Sequence, residues 1–240
     1  IMRRYPRASV LGNKRASLLA WQNRVRDPSL TVLLVLQLFL MFLALPLAAT
    51  GVLITEQVSL LLLLLVLTVV VLLSHRGVAI VMILLGLAAI IAPMVFGREW
   101  PPITANVLSH GGLMLVFSAL TWVVAHAVYA PGRITFHRLQ GAAVVYLSLA
   151  IIFAIAFSLM WELIPGAFAN LPVPVRGPRE FATMFYFSLA TLTTTGYGDI
   201  VPLNQFTRSL ANLEEVLGQF YLAITIARLV TLELADRRQR

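Results

Sequence analysis

The 240-residue chain has no cysteine, so a disulfide framework, a thiolate metal site and a cysteine nucleophile are all excluded. Charge is also scarce: only 12% of residues are Asp, Glu, Lys or Arg, about half the share usual in soluble domains. The few Asp, Glu and His residues are scattered, no His-Glu-x-x-His spacing appears, and no glycine-rich phosphate cradle follows a strand pattern. Enzyme chemistry is therefore not expected, and no cofactor is implied. No segment repeats at a fixed period, so one chain does not hold several copies of one unit.

What is abundant is apolar surface. Hydrophobic residues make up 60% of the chain, which reads as an all-α integral membrane protein. A helix needs about 20 apolar residues to cross a hydrocarbon core of about 30 Å. Stretches of that kind fall near residues 30–52, 57–74, 78–96, 106–130, 140–163 and 205–231. The first is too long for a signal h-region and lacks a clear small-residue cleavage site, so it is read as retained. Six spans leave both chain ends on one side. Arg76, Arg133, Arg138, Arg237, Arg238 and Arg240 join the basic residues of segment 1–27 there, against Arg98, Arg176, Arg179 and Arg208 on the other. The richer side is expected to be cytoplasmic, in a multi-pass protein of the cell membrane. Topology and anionic lipid account for the net charge of +8, so nucleic acid is not an expected partner.

Segment 1–27 carries seven Arg and Lys residues against Asp27 alone, and Leu18, Leu19, Trp21 and Val25 fit one helix face. An interfacial helix and a plain basic tail both satisfy that pattern. Asp27-Pro28 forms a start signal for the first span. Pro46 and Pro93 are expected to kink or end their spans. The chain thus divides into the tail 1–27, four spans in 28–130, a linker 131–139, a unit 140–232 and an end segment 233–240 too short for a ligand-binding domain.

Between the fifth and sixth spans lie about 40 residues that do not fit a spanning helix. Leu163 to Arg179 is rich in Pro and Gly, after which Glu180 to Leu192 turns apolar and aromatic. Some 13 apolar residues suit a re-entrant helix rather than a span. Pro178 and Glu180 mark its start, giving a helix over 179–192. Thr193-Thr194-Thr195-Gly196-Tyr197-Gly198-Asp199 follows. A file of oxygens that replaces an ion's water requires successive carbonyls to face inward, and Gly196 and Gly198 permit the backbone angles this needs. The carbonyls of Thr194, Thr195, Gly196 and Tyr197, with the Thr194 hydroxyl at the inner end, would form stacked rings when four copies meet.

Segment 180–200 resembles the pore region of the potassium channel family, whose signature is Thr-Val-Gly-Tyr-Gly-Asp; here Thr195 takes the valine position. The resemblance implies a selectivity filter over 194–199 with K+ bound at Thr194, Thr195, Gly196, Tyr197 and Gly198. It also implies an outer helix from 140, a pore helix, an inner helix over 205–231, and a homotetramer with three identical partner subunits. Many members have two tryptophans where this chain has Tyr186 and Phe187, the first bonding the filter aspartate. Tyr186 either does so to Asp199 or packs against neighbouring helices. Some relatives have a glutamate at the place of Ala190, and that pair is missing.

Gly218 stands where simple members of the family put a hinge glycine, and a small residue for close helix packing is the equal alternative. Leu222, Ile226 and Val230 share a face that lines an inner pore or packs against another helix. Glu214 and Glu215 sit inside an apolar span and need partners, such as pore-helix hydroxyls, or a proton. We expect at least one of them to brace the filter from behind. A voltage sensor requires several arginines at three-residue spacing in the fourth span. Residues 106–130 have none, only His110 and His126, so the first four spans read as a sensor-like bundle without gating charges. His110 is either a pH-sensitive group or a structural one. The short linker favours packing of the fourth span on its own chain's fifth. The function these readings imply is passive K+ conduction without steep voltage gating. A non-selective cation channel and a non-conducting accessory membrane subunit are the alternatives.

Overall fold

The structure, a computed structural model, describes residues 30–51, 77–96, 100–129, 136–171 and 178–238. The basic tail 1–27, the second expected span near 57–74 and most of the linker lie outside the described residues. The elements are α1 (Leu30–Ala49), α2 (Gly77–Phe96), α3 (Pro102–Val128), α4 (Phe136–Leu163), β1 (Phe168–Ala169), α5 (Pro178–Leu192), β2 (Val201–Pro202) and α6 (Gln205–Arg238). Apart from one pair of two-residue strands, the described chain is helical. Among the described residues, four helices, α1 to α4, are long and apolar enough to cross a membrane. At 34 residues α6 is about 51 Å long. Glu214, Glu215 and Gln219 interrupt its apolar run. With 15 residues, α5 is about 22 Å long, short of a bilayer core.

Pro46 bends the winding of α1 without ending it. Proline has no N–H to give the carbonyl four residues back, and its ring pushes on that carbonyl. The turn Leu40–Ala44 widens to a π-helix in which the Leu45 amide reaches the Leu40 carbonyl, and α-helix resumes through Ala49. Pro93 sits in the last turn of α2, which ends at Phe96.

Helix α4 is the centre of the core. Val144, Ser148, Ala150, Ala154 and Phe157 are all fully buried. On one side α3 lies along it, and a Cβ added at Gly141 would meet the Val128 side chain. The fourth expected span thus packs on its own chain's fifth. Beyond it, α2 crosses α3 where Gly86 and Gly112 face each other, so close that a Cβ on Gly86 would lie 2.7 Å from the Gly112 carbonyl oxygen. Small residues are what bring helix backbones together where burial of oil from water offers no drive.

Helix α1 is fastened to α4 and α5 along its length. Thr31 Oγ1 donates to Gln140 Oε1 (2.6 Å) and lies 2.9 Å from His137 Nδ1, and Gln37 Nε2 donates to Ser148 Oγ (3.1 Å). Higher up, Phe42 meets the Phe185 ring edge-on at 6.5 Å, and Arg179 Nε donates to the Ala49 carbonyl (3.2 Å). The first span therefore frames the segment that positions the site.

Candidate functional site

Three pieces of backbone converge beside α5. Phe157 of α4, Phe168 of β1 and Phe187 of α5 form an edge-to-face cluster with centroids 4.9 to 6.0 Å apart. β1 pairs antiparallel with β2, Phe168 opposite Pro202 and Ala169 opposite Val201. The Ala167 carbonyl accepts from the Leu203 amide (2.9 Å) and the buried Thr207 hydroxyl (3.1 Å). The chain leaving α4 is thereby locked to the chain that follows residues 194–199.

The end of α5 has a complete account of its carbonyls, which helix termini normally leave orphaned. Leu189 O accepts from the Thr193 amide (3.1 Å), Thr191 O from Thr194 (2.8 Å), and Ala190 O from both Thr195 (2.8 Å) and Gly196 (3.2 Å). Leu192 O accepts from the Tyr146 hydroxyl of α4 (3.2 Å). Amides from 193 to 196 fold back onto the helix end, so their carbonyls are left facing elsewhere.

Backbone angles decide where. Thr194, Gly196 and Gly198 have φ of 57°, 53° and 78°, while Thr195 and Tyr197 do not have positive φ. In an extended strand successive carbonyls point to opposite sides. Alternating left- and right-handed angles turn them to one side instead. The sequence points to the two glycines for this; that Thr194 shares the conformation is not visible in it. A non-glycine residue there costs about 1–2 kcal/mol. The Thr194 hydroxyl donates to the Thr193 carbonyl (2.7 Å) and accepts from Gln219 Nε2 (3.3 Å), which holds it in place.

Residues 193–199 are all exposed in the single chain, Tyr197 at 69%. Tyr186 stacks on Tyr197, with centroids 5.8 Å and planes 9° apart, and its hydroxyl faces the Asp199 carboxylate. Asp199 Oδ1 also accepts from the Ile200 amide (3.0 Å). Glu214 is fully buried against α5, where Ser188 Oγ lies 2.5 Å from its Oε1. Glu215 is exposed on the other side of α6. Gly218 lies against the foot of residues 193–199, where a Cβ would run into the Leu192 carbonyl oxygen. Leu222, Ile226 and Val230 are uncovered by their own chain.

Residues 143–233 match the ion channel family. A curated relative, the inward rectifier potassium channel Kirbac3.1 of Paramagnetospirillum magnetotacticum, is 30% identical over 79 residues, taking in 33% of this chain. The chain resembles the potassium channels. The match spans 24% of that relative's length, and no solved structure matches.

Against the potassium-channel signature, Thr195 adds a hydroxyl where valine has a methyl. That hydroxyl is occupied: it lies 2.8 Å from Thr193 Oγ1, whose own proton goes to the Leu189 carbonyl (2.7 Å). Thr195→Val removes one hydrogen bond without freeing a carbonyl, at about 1 kcal/mol. Ion flux through the variant is expected to stay within about twofold of wild type, while thermal melting of the protein shows the small loss.

Sequence reasoning did not single out Ser188, Gln219, Tyr146 or Tyr221. Tyr221 donates to the Ala142 carbonyl (2.7 Å), tying α6 to α4 as Tyr146 ties α4 to α5. Ser188 has a sequence signal, since a hydroxyl in an apolar helix facing a span that carries an acid is its natural partner. Lower on α6, Arg228 stacks over the Tyr129 ring at 5.0 Å and donates to the Tyr129 carbonyl, and Tyr129 Oη lies 2.7 Å from Thr225 Oγ1. The later half of α6 is thus docked on the end of α3.

Proposed function

We propose that four copies of this chain form a potassium-selective channel in a cell membrane, conducting K+ passively through a filter of main-chain oxygens over Thr194 to Gly198. The observation that carries this is the alternation of positive φ at 194, 196 and 198, which sends consecutive carbonyls to one side. One chain supplies a quarter of each oxygen ring, so the site is complete only around a fourfold axis. The exposure of the whole segment in the single chain, and of Phe206, Leu213, Phe220 and Ile224 on α6, fits surfaces that other subunits cover.

On this reading α5 is a re-entrant pore helix between outer helix α4 and inner helix α6. The chain crosses the membrane six times, with both ends in the cytoplasm and basic flanks against anionic lipid. Asp199, Tyr186 and Glu214 support the filter, Gly218 sets the approach of the inner helix to it, and Leu222, Ile226 and Val230 line the inner pore, where apolar rings close a channel by dewetting. The test is flux into liposomes holding purified protein. Potassium entering at least about tenfold faster than sodium, from a species with the mass of four chains, is the expected result. Equal rates for both ions, or a monomer, would refute the proposal.

A further inference from the structure

The buried contact between α6 and α5 has fewer protons on Ser188 than it has acceptors around it. Ser188 Oγ lies 2.8 Å from the Ala150 carbonyl oxygen of α4 and 2.5 Å from Glu214 Oε1 of α6. A serine hydroxyl has one proton to donate, and a carbonyl oxygen can only accept. If that proton goes to Ala150, the second bond must take its proton from Glu214. The surroundings favour the same placement. Ser188 and Glu214 are fully buried, and among the described residues Glu214 Oε2 has no hydrogen-bond partner. A carboxylate there would leave a charge in apolar surroundings with one oxygen orphaned, whereas a neutral acid leaves only an unfilled carbonyl-type acceptor.

We infer that Glu214 is held as a neutral carboxylic acid that donates to Ser188, which in turn donates to the Ala150 carbonyl. This chain of two hydrogen bonds ties inner helix, pore helix and outer helix together one turn below the filter. Ser188 and Glu214 are positioning residues: neither faces the permeant ion, and both fix the helix whose end carries Thr193 to Gly198. The inference rests on the channel reading for its consequence, but the proton placement stands or falls separately.

Two measurements test it. Infrared difference spectra of the wild type against Glu214→Gln are expected to show a protonated-carboxyl C=O band that the variant lacks; a carboxylate band in its place overturns the proton placement, whether or not the protein conducts. In the flux assay, Glu214→Gln supplies an amide N–H to Ser188, so its potassium-to-sodium ratio is expected within about threefold of wild type. Glu214→Ala and Ser188→Ala strand a buried partner, and their ratios are expected to fall about tenfold or more. Glu214→Ala with an unchanged ratio, or Glu214→Gln failing as badly as Glu214→Ala, overturns the positioning role. A wild type without flux refutes the channel reading alone.

Discussion

Gly196→Ala is expected to reduce potassium flux to the level of empty liposomes while the assembly still forms. Gly196 sits at φ 53°, and among the described residues nothing lies within 4 Å of an added Cβ. The obstacle is therefore the backbone conformation rather than a clash within the subunit. Alanine there costs about 1–2 kcal/mol, and four copies on one axis multiply it to about 4–8 kcal/mol. Every 1.4 kcal/mol is about a factor of ten in a population, so the aligned conformation becomes rare. Thr194 shows that a side chain can be held at positive φ, but its hydroxyl has two hydrogen bonds that offset the strain, and alanine has none. Relaxation of residue 196 to negative φ would turn a carbonyl out of line and remove one ring of oxygens. Flux within about twofold of wild type, at equal protein incorporation, would mean that these carbonyls do not carry the ion.

Much of the plan is legible in the sequence because the signals are local. Apolar runs of helix length give α1, α2, α3 and α4 to within a few residues, and Pro178 with Glu180 marks the start of α5. The spacing Thr-Gly-Tyr-Gly-Asp points to the candidate site without any contact information, since glycine permits the positive φ found at 196 and 198, whereas that of Thr194 is not legible. What the sequence hides is partnership across distance. Gln37 with Ser148, Ser188 with Glu214 and Arg179 with the Ala49 carbonyl join positions 26 to 130 residues apart. Each of these residues reads alone as a polar interruption in an apolar segment. The docking of α1 on α4 and α5 is hidden for the same reason. The widened turn before Pro46 is hidden for another: a proline inside a helix can kink, stop or widen it, and only the packing of Leu40, Met41 and Ala44 into the core selects the last.

Gly218→Ala is expected to disturb residues 193–199, the proposed filter, from below. Helix α6 passes so near the end of α5 that an added Cβ would collide with the Leu192 carbonyl oxygen and lie 3.0 Å from Leu192 Cδ1. A side chain can rotate away, but the carbonyl belongs to the residue before Thr193 and accepts from Tyr146, so it has nowhere to go without moving residues 193–199. Overpacking of this kind costs about 1–3 kcal/mol per subunit. The expected results are a lower melting temperature of the assembly and a potassium-to-sodium ratio reduced about tenfold. Trimming the side chain in Gly218→Ala with Leu192→Ala should not restore either, because the backbone oxygen remains. If Gly218 served only as a bend in α6, the single variant would keep its melting temperature and its selectivity and lose only opening. Close approach and bending thus separate in one protein preparation, and the geometry at Leu192 favours close approach.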